Sequence, residues 1–254
     1  MSYLLIAEDN PTEQLILRAV LSKAGYSVFL ASGGDEALEL LSQLAFDLAV
    51  IDIQMPRLNG LEVMQRFRSS DTAYAYSTPF LAVSADSSAG VEAEAYQAGA
   101  NAWLVKPLIA DVLRGVVARL IADEPLGAQA IREYPETHPR RTLNKALLDQ
   151  LRVNVSDARF VATLAERFLH DADANLASLR DAHAAAQWGE LRDLAHALQG
   201  SAGSVGAELL QAQAHRLCHA DDASLRDHGG ELIEEMDAER IRFERMLLAY
   251  VAEA

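Results

Sequence analysis

Positive charge is scarce in this chain: 22 lysines and arginines face 37 aspartates and glutamates, for a net charge of −15 at pH 7. A nucleic-acid footprint is a basic patch or stripe, so no nucleic-acid partner is expected. Both halves share the deficit, with 14 acids against 8 bases over residues 1–122 and 19 against 11 over residues 142–254. Cysteine is nearly absent. The single Cys218 excludes an intrachain disulfide framework and fits a reducing, cytoplasmic compartment. No apolar run approaches the ~20 residues of a membrane span, and the opening Met-Ser-Tyr-Leu-Leu-Ile-Ala-Glu-Asp lacks the basic n-region of a secretory signal. The expectation is a cytoplasmic chain without membrane insertion. Glycine is missing where a dinucleotide enzyme needs it: the first apolar run ends in Glu8-Asp9, which would repel a pyrophosphate. Proline is sparse too, yet three of the seven fall within residues 123–141. Proline breaks helix interiors, so that segment reads as a linker between two domains.

Over residues 1–122 strand-like apolar runs alternate with helix-like patterns, which predicts a parallel sheet covered by helices. Asn10-Pro11, Gly33-Gly34 and Gly60 open helices, and five β/α units make one doubly wound domain. The stretch Leu48-Ala-Val-Ile-Asp52-Ile-Gln-Met-Pro-Arg-Leu-Asn-Gly60 organises it. Ligands of open α/β sheets bind outside the carboxyl ends of the strands, which is where Asp52 stands. Three further strand ends supply Glu8 with Asp9, Ser84 with Ala85, and Lys106 with Pro107. Three clustered carboxylates call for a divalent cation, and hard oxygen donors suit Mg²⁺. Ser84 offers a hydroxyl to a phosphoryl oxygen, Ala85 leaves room for the group to enter, and Lys106 is a cation for the carboxylate or its phosphoryl group. Phosphoryl transfer is mostly positioning and charge stabilisation, and this set provides both.

At these residues the chain resembles the receiver domain of two-component response regulators, over roughly residues 3–122. The resemblance rests on Glu8-Asp9, the D-x-x-M-P-x-x-N-G run from Asp52 to Gly60, Ser84-Ala85 and Lys106-Pro107. It implies a flavodoxin-like fold with Asp52 as phosphoacceptor and Mg²⁺ held by Glu8, Asp9, Asp52 and the backbone carbonyl of Gln54. It also implies a cis Lys106–Pro107 peptide and a switch built on Ser84 and on Trp103, where the family usually has tyrosine or phenylalanine.

After the linker the strand signal disappears. Apolar spacing predicts long helices over about 157–186, 188–205, 208–220 and 225–252, with a short one near 144–151, joined by short loops into an antiparallel four-helix bundle. Leu191, Leu194, Ala195, Leu198, Ala202 and Val205 form the buried face of the second helix. Arg192, His196, Gln199, Gly200 and Gly203 are assigned to the outward stripe. Glycine inside a helix costs about 1 kcal/mol relative to alanine, so glycines beside a histidine suggest a cleared docking face. The stretch resembles the histidine phosphotransfer (HPt) motif A-H-x-L-K-G-x-A-x-x-x-G through Ala195, His196, Leu198, Gly200, Ala202 and Gly206, with Gln199 in place of the usual lysine. It implies a phosphohistidine at His196 and a docking surface at Gln199, Gly200 and Gly203.

His215, Cys218 and His219 have a spacing that could hold zinc but lack an evident fourth ligand. His183 is expected in solvent. No histidine-kinase core is visible, so a sensor histidine kinase or a small phosphodonor is the implied phosphate source and a partner receiver domain the implied exchange partner. Two other readings compete with a relay. A bundle that only binds receivers gains some weight from Gln199. An aspartyl-phosphate phosphatase would typically carry a second aspartate at position 54, where Gln54 stands.

Overall fold

A computed structural model describes residues 2–72, 74–75, 77–124, 142–155, 157 and 159–252. Beyond Asp123 and Glu124, the expected linker lies outside them. The chain divides into two compact units.

In the first unit largely apolar strands of four or five residues alternate with helices: β1 (Tyr3–Ala7), α1 (Pro11–Lys23), β2 (Ser27–Ala31), α2 (Gly34–Gln43), β3 (Leu48–Asp52), α3 (Gly60–Arg68), β4 (Phe80–Ser84), α4 (Ala89–Ala98), β5 (Ala102–Val105) and α5 (Ala110–Ile121). The strands pair in parallel in the order β2-β1-β3-β4-β5, as the doubly wound expectation requires. Strands β3 and β4 are buried along their whole length, which explains why they read as unbroken apolar runs rather than alternating ones. Register brings the strand ends level. Ala7 lies opposite Ile51, Asp52 opposite Val83, and Ser84 opposite Val105. Glu8, Asp52, Ser84 and Lys106 therefore reach the same edge of the sheet.

Loop chemistry holds that edge in shape. Asn59 and Glu62 close a reciprocal capping box at the start of α3, with Glu62 N–H donating to Asn59 Oδ1 at 2.9 Å and Asn59 N–H to Glu62 Oε2 at 3.1 Å. A Cβ on Gly60 would stand 2.1 Å from the Asp52 carbonyl oxygen, so only glycine lets α3 begin this close to β3. Arg68 ties the β4 and β5 approaches together, donating to the carbonyls of Thr78 and Gly99 at 2.9 Å each.

The second unit is helical: α6 (Lys145–Asn154), α7 (Phe160–Ala184), α8 (Trp188–Ser204), α9 (Glu208–Cys218) and α10 (Asp222–Ala252). Helix α7 packs on α8 and α10, and α9 packs on the same two, closing a ring of four. Connections of three residues make successive members antiparallel. Leu164, Phe168, Leu198, Leu210, Leu217, Met236, Phe243 and Leu247 fill the core, where Phe168 and Phe243 meet edge to face at 5.4 Å. Helix α8 ends at Ser204, and Gly206 just beyond it takes a positive φ of 78° that an L-residue rarely adopts.

Candidate functional site

Lys106 is the hub of the receiver edge. Its ammonium donates to Asp52 Oδ2 at 2.7 Å and to Glu8 Oε2 at 2.8 Å, and it pairs with Glu13 Oε2 at 2.6 Å. All four side chains are almost completely buried. The second Asp52 oxygen accepts the Gln54 N–H at 3.0 Å, so the loop after β3 orients the carboxylate that Lys106 neutralises. The Lys106–Pro107 peptide is cis. Asp9 stands beside this cluster, partly open to solvent. Its carboxyl is pushed up to about 6, first by burial and then by the charge of Asp52. Burial also lifts Glu8 well above the usual carboxylate range, with Glu13 adding to the rise. For Lys106 burial acts the other way, but Asp52, Glu13 and Glu8 outweigh it and hold the ammonium well above its ordinary value.

One oxygen each from Glu8, Asp9 and Asp52 lie within 4.8 Å of one another. This oxygen-only donor set, open through Asp9 to water, fits Mg²⁺, which keeps several waters and binds few carboxylates. Ser84 is fully buried at the end of β4, its Oγ accepting the Asp86 N–H at 3.1 Å. Trp103 is 4 % exposed, part of the apolar core, and its indole Nε1 has no hydrogen-bond partner among the described residues. The indole is thus accommodated in an inward position.

Glu13 is the residue that sequence reasoning missed. It is the third residue of α1 after the cap Asn10, whose side chain accepts the Thr12 and Glu13 N–H groups. Asn10-x-x-Glu13 thus has the same spelling as the closed box at Asn59-x-x-Glu62 and reads as a helix start. Here, however, the Asn10 N–H donates to Glu8 Oε1 at 3.1 Å, and Glu13 turns to Lys106 instead. The available signal was the acid two residues before the cap, which competes for the position Glu13 would otherwise fill.

In the bundle His196 lies on α8, half-buried, and the expected buried face is present in Leu191, Ala195, Leu198, Ala202 and Val205, with Leu194 partly covered. The outward placement of Gln199, Gly200 and Gly203 is overturned. All three are buried, Gln199 at 5 % exposure with its Oε1 lacking a hydrogen-bond partner among the described residues. A Cβ on Gly203 would meet the Gln211 side-chain amide on α9 at 2.5 Å, so this glycine serves the α8–α9 contact. His183 is also not a solvated residue. Its Nε2–H donates to the Leu225 carbonyl at 3.0 Å, and the ring packs edge to face on Trp188 and fills the space left by Gly229 and Gly230. The His215 and His219 rings lie 4.1 Å apart, tilted by 37°, but among the described residues the grouping of metal-type ligands is Glu8, Asp9 and Asp52, and does not include the His215–Cys218–His219 set.

Known proteins share both units. Residues 4–118 match the response regulator receiver domain and residues 163–249 the Hpt domain. The sensory/regulatory protein RpfC of Xanthomonas campestris is 27 % identical over 224 residues, covering 88 % of this chain and 31 % of that protein. The virulence sensor protein BvgS of Bordetella bronchiseptica is 28 % identical over 213 residues, covering 81 % of this chain and 17 % of that protein. The chain thus spans a third or less of the length of these relatives. Among solved structures, the receiver domain of the sensor histidine kinase PA1611 from Pseudomonas aeruginosa, with magnesium coordinated in its active-site cleft, is 28 % identical at a TM-score of 0.44, covering 48 % of this chain and 98 % of that one. With both matches in the order that the two folds occur, the chain belongs to the two-component phosphorelay proteins, a response regulator receiver domain followed by an Hpt domain.

Proposed function

We propose that this chain is a phosphoryl carrier: Asp52 accepts a phosphoryl group in a Mg²⁺-dependent reaction, and His196 relays phosphate to or from receiver domains. The carrying observation is the buried meeting of Asp52, Glu8 and Lys106 beside Asp9. Glu8, Asp9, Asp52 and the Gln54 carbonyl would hold Mg²⁺, which when bound supplies positive charge for the phosphoryl oxygens. One Asp52 oxygen attacks phosphorus, forming a P–O bond as the P–N bond of a donor phosphohistidine breaks. The departing imidazole keeps the electron pair and takes a proton from solvent. Lys106 shifts an N–H from the Asp52 carboxylate to a phosphoryl oxygen, and the Ser84 hydroxyl donates another hydrogen bond, with Trp103 registering the change from the core. Transfer onto His196 runs in reverse. A neutral ring nitrogen attacks phosphoaspartate, the P–O bond electrons return to the carboxylate, and the imidazole releases its proton.

In this reading residues 1–122 are the receiver, 123–141 the linker and 142–254 the phosphotransfer bundle. A sensor histidine kinase is the phosphate source, and partner receivers exchange phosphate with His196, in the cytoplasm that a lone cysteine fits. Among the described residues no helix is long and apolar enough to cross a membrane. The receiver also promotes loss of its own phosphate to water. The competing reading, a bundle that binds receivers without transfer, draws on Gln199 standing where lysine is usual. Incubation with acetyl phosphate, followed by mass mapping, tests the assignment. Phosphate should appear on Asp52 with Mg²⁺ and vanish with EDTA or in Asp52→Asn; labelling that ignores either change would overturn it.

A further inference from the structure

The receiver site holds more negative charge than phosphoryl acceptance needs. Lys106 already has Asp52 at 2.7 Å and Glu8 at 2.8 Å when Glu13 comes in at 2.6 Å from α1. Glu13 is 4 % exposed, so its carboxylate has given up water for a share in an ammonium that two other acids occupy. One ammonium is divided among three buried acids, and a third acid adds desolvation cost without adding a cation to offset it, so stability alone gives no account of Glu13. Nor does helix capping, since Glu8 has taken the Asn10 N–H that a capping glutamate would accept. What Glu13 does alter is the field at the end of β3. With Glu13 sharing the ammonium, Lys106 presents less positive charge to whatever approaches Asp52. That arrangement favours a divalent cation over a phosphoryl group.

We propose that Glu13 is a positioning residue that acts through Lys106 as an electrostatic brake, strengthening Mg²⁺ binding while weakening the hold of Lys106 on the phosphoryl group. The inference rests on the proposed roles of Asp52 as acceptor and Lys106 as its cation. In the step concerned, an Asp52 oxygen bonds to the phosphorus of acetyl phosphate while acetate leaves with the electron pair of the breaking P–O bond. Lys106 must follow the phosphoryl oxygens, and Glu13 holds it back.

The test uses the full chain and the variant Glu13→Gln, which keeps shape and removes charge. Mg²⁺ affinity is measured by calorimetry at alkaline pH, where protons compete least for the carboxylates, and the acetyl phosphate labelling rate at saturating Mg²⁺. The two should move in opposite directions, Mg²⁺ affinity falling and labelling rising by at least about threefold each, on the scale of one charge a few ångströms away. Glu13→Met, of similar volume and uncharged, should repeat both shifts and guards against a folding defect peculiar to the amide. A merely structural Glu13 would lower both quantities together. That result, or no change in either, overturns the brake while leaving the site reading intact. A parent protein that neither binds Mg²⁺ nor labels Asp52 would instead overturn the site reading and the brake with it.

Discussion

Lys106 sets the electrostatics of the receiver, and its removal should be costly in a particular way. Taking one partner from a buried ion pair leaves uncompensated charge, typically costing 3–5 kcal/mol, about the range expected for Lys106→Ala without metal. Mg²⁺ would neutralise part of the same cluster. Denaturant unfolding of Lys106→Ala should therefore show a deficit in EDTA that shrinks when Mg²⁺ is added, with Mg²⁺ binding itself retained. The phosphorylation-dependent change should be lost, because in the proposed function Lys106 follows the phosphoryl oxygens. Equal stability of variant and parent in EDTA would mean that the ammonium does not neutralise these acids. His196→Gln is the contrasting case. The side chain is half-buried, away from the packed line of Leu191, Ala195, Leu198 and Ala202, so the melting temperature should hold while transfer to a receiver disappears.

At the scale of elements, the helices are placed by backbone close approaches that a side chain would block. Gly60→Ala should destabilise the receiver by about 1–3 kcal/mol, the usual range for overpacking, since its Cβ would press on the Asp52 carbonyl. Gly200→Leu should likewise lower the unfolding temperature of the chain, because Gly200 is buried on α8, although helix propensity alone favours leucine. A raised unfolding temperature would return Gly200 to the outward stripe. These glycines mark where sequence legibility ended. Leucines and alanines at helical spacing identified the apolar face of α8 correctly, but glycine carries no polarity by which to assign a face, and Gly203 proved to serve packing against Gln211. Four of the five receiver strands were legible because each is an apolar run closed by a residue of distinct chemistry: Glu8, Asp52, Ser84 and Lys106. Helix ends fell within a few residues of their observed limits. Glu13 was hidden by local ambiguity, since Asn-x-x-Glu describes both the closed box at Asn59 and the diverted one at Asn10. His183 was hidden for a different reason: its partners, Trp188 and the paired glycines 229 and 230, come together only through the α7–α8–α10 packing.

For the whole molecule, the proposed function gives the two units complementary chemistries, Asp52 forming a mixed anhydride with phosphate and His196 a phosphoramidate. Their acid–base stabilities differ, so one experiment distinguishes a relay from a pair of independent domains. The full chain is charged with labelled acetyl phosphate in Mg²⁺, the donor is removed, and the label is sorted by chemistry: phosphoaspartate is lost in base, phosphohistidine in acid. The parent chain should acquire base-stable label that maps to His196. His196→Gln should hold base-labile label on Asp52 alone, and Asp52→Asn should hold none. Base-stable label in Asp52→Asn, or label in the parent that leaves Asp52 for water without reaching His196, would contradict phosphate exchange between Asp52 and His196.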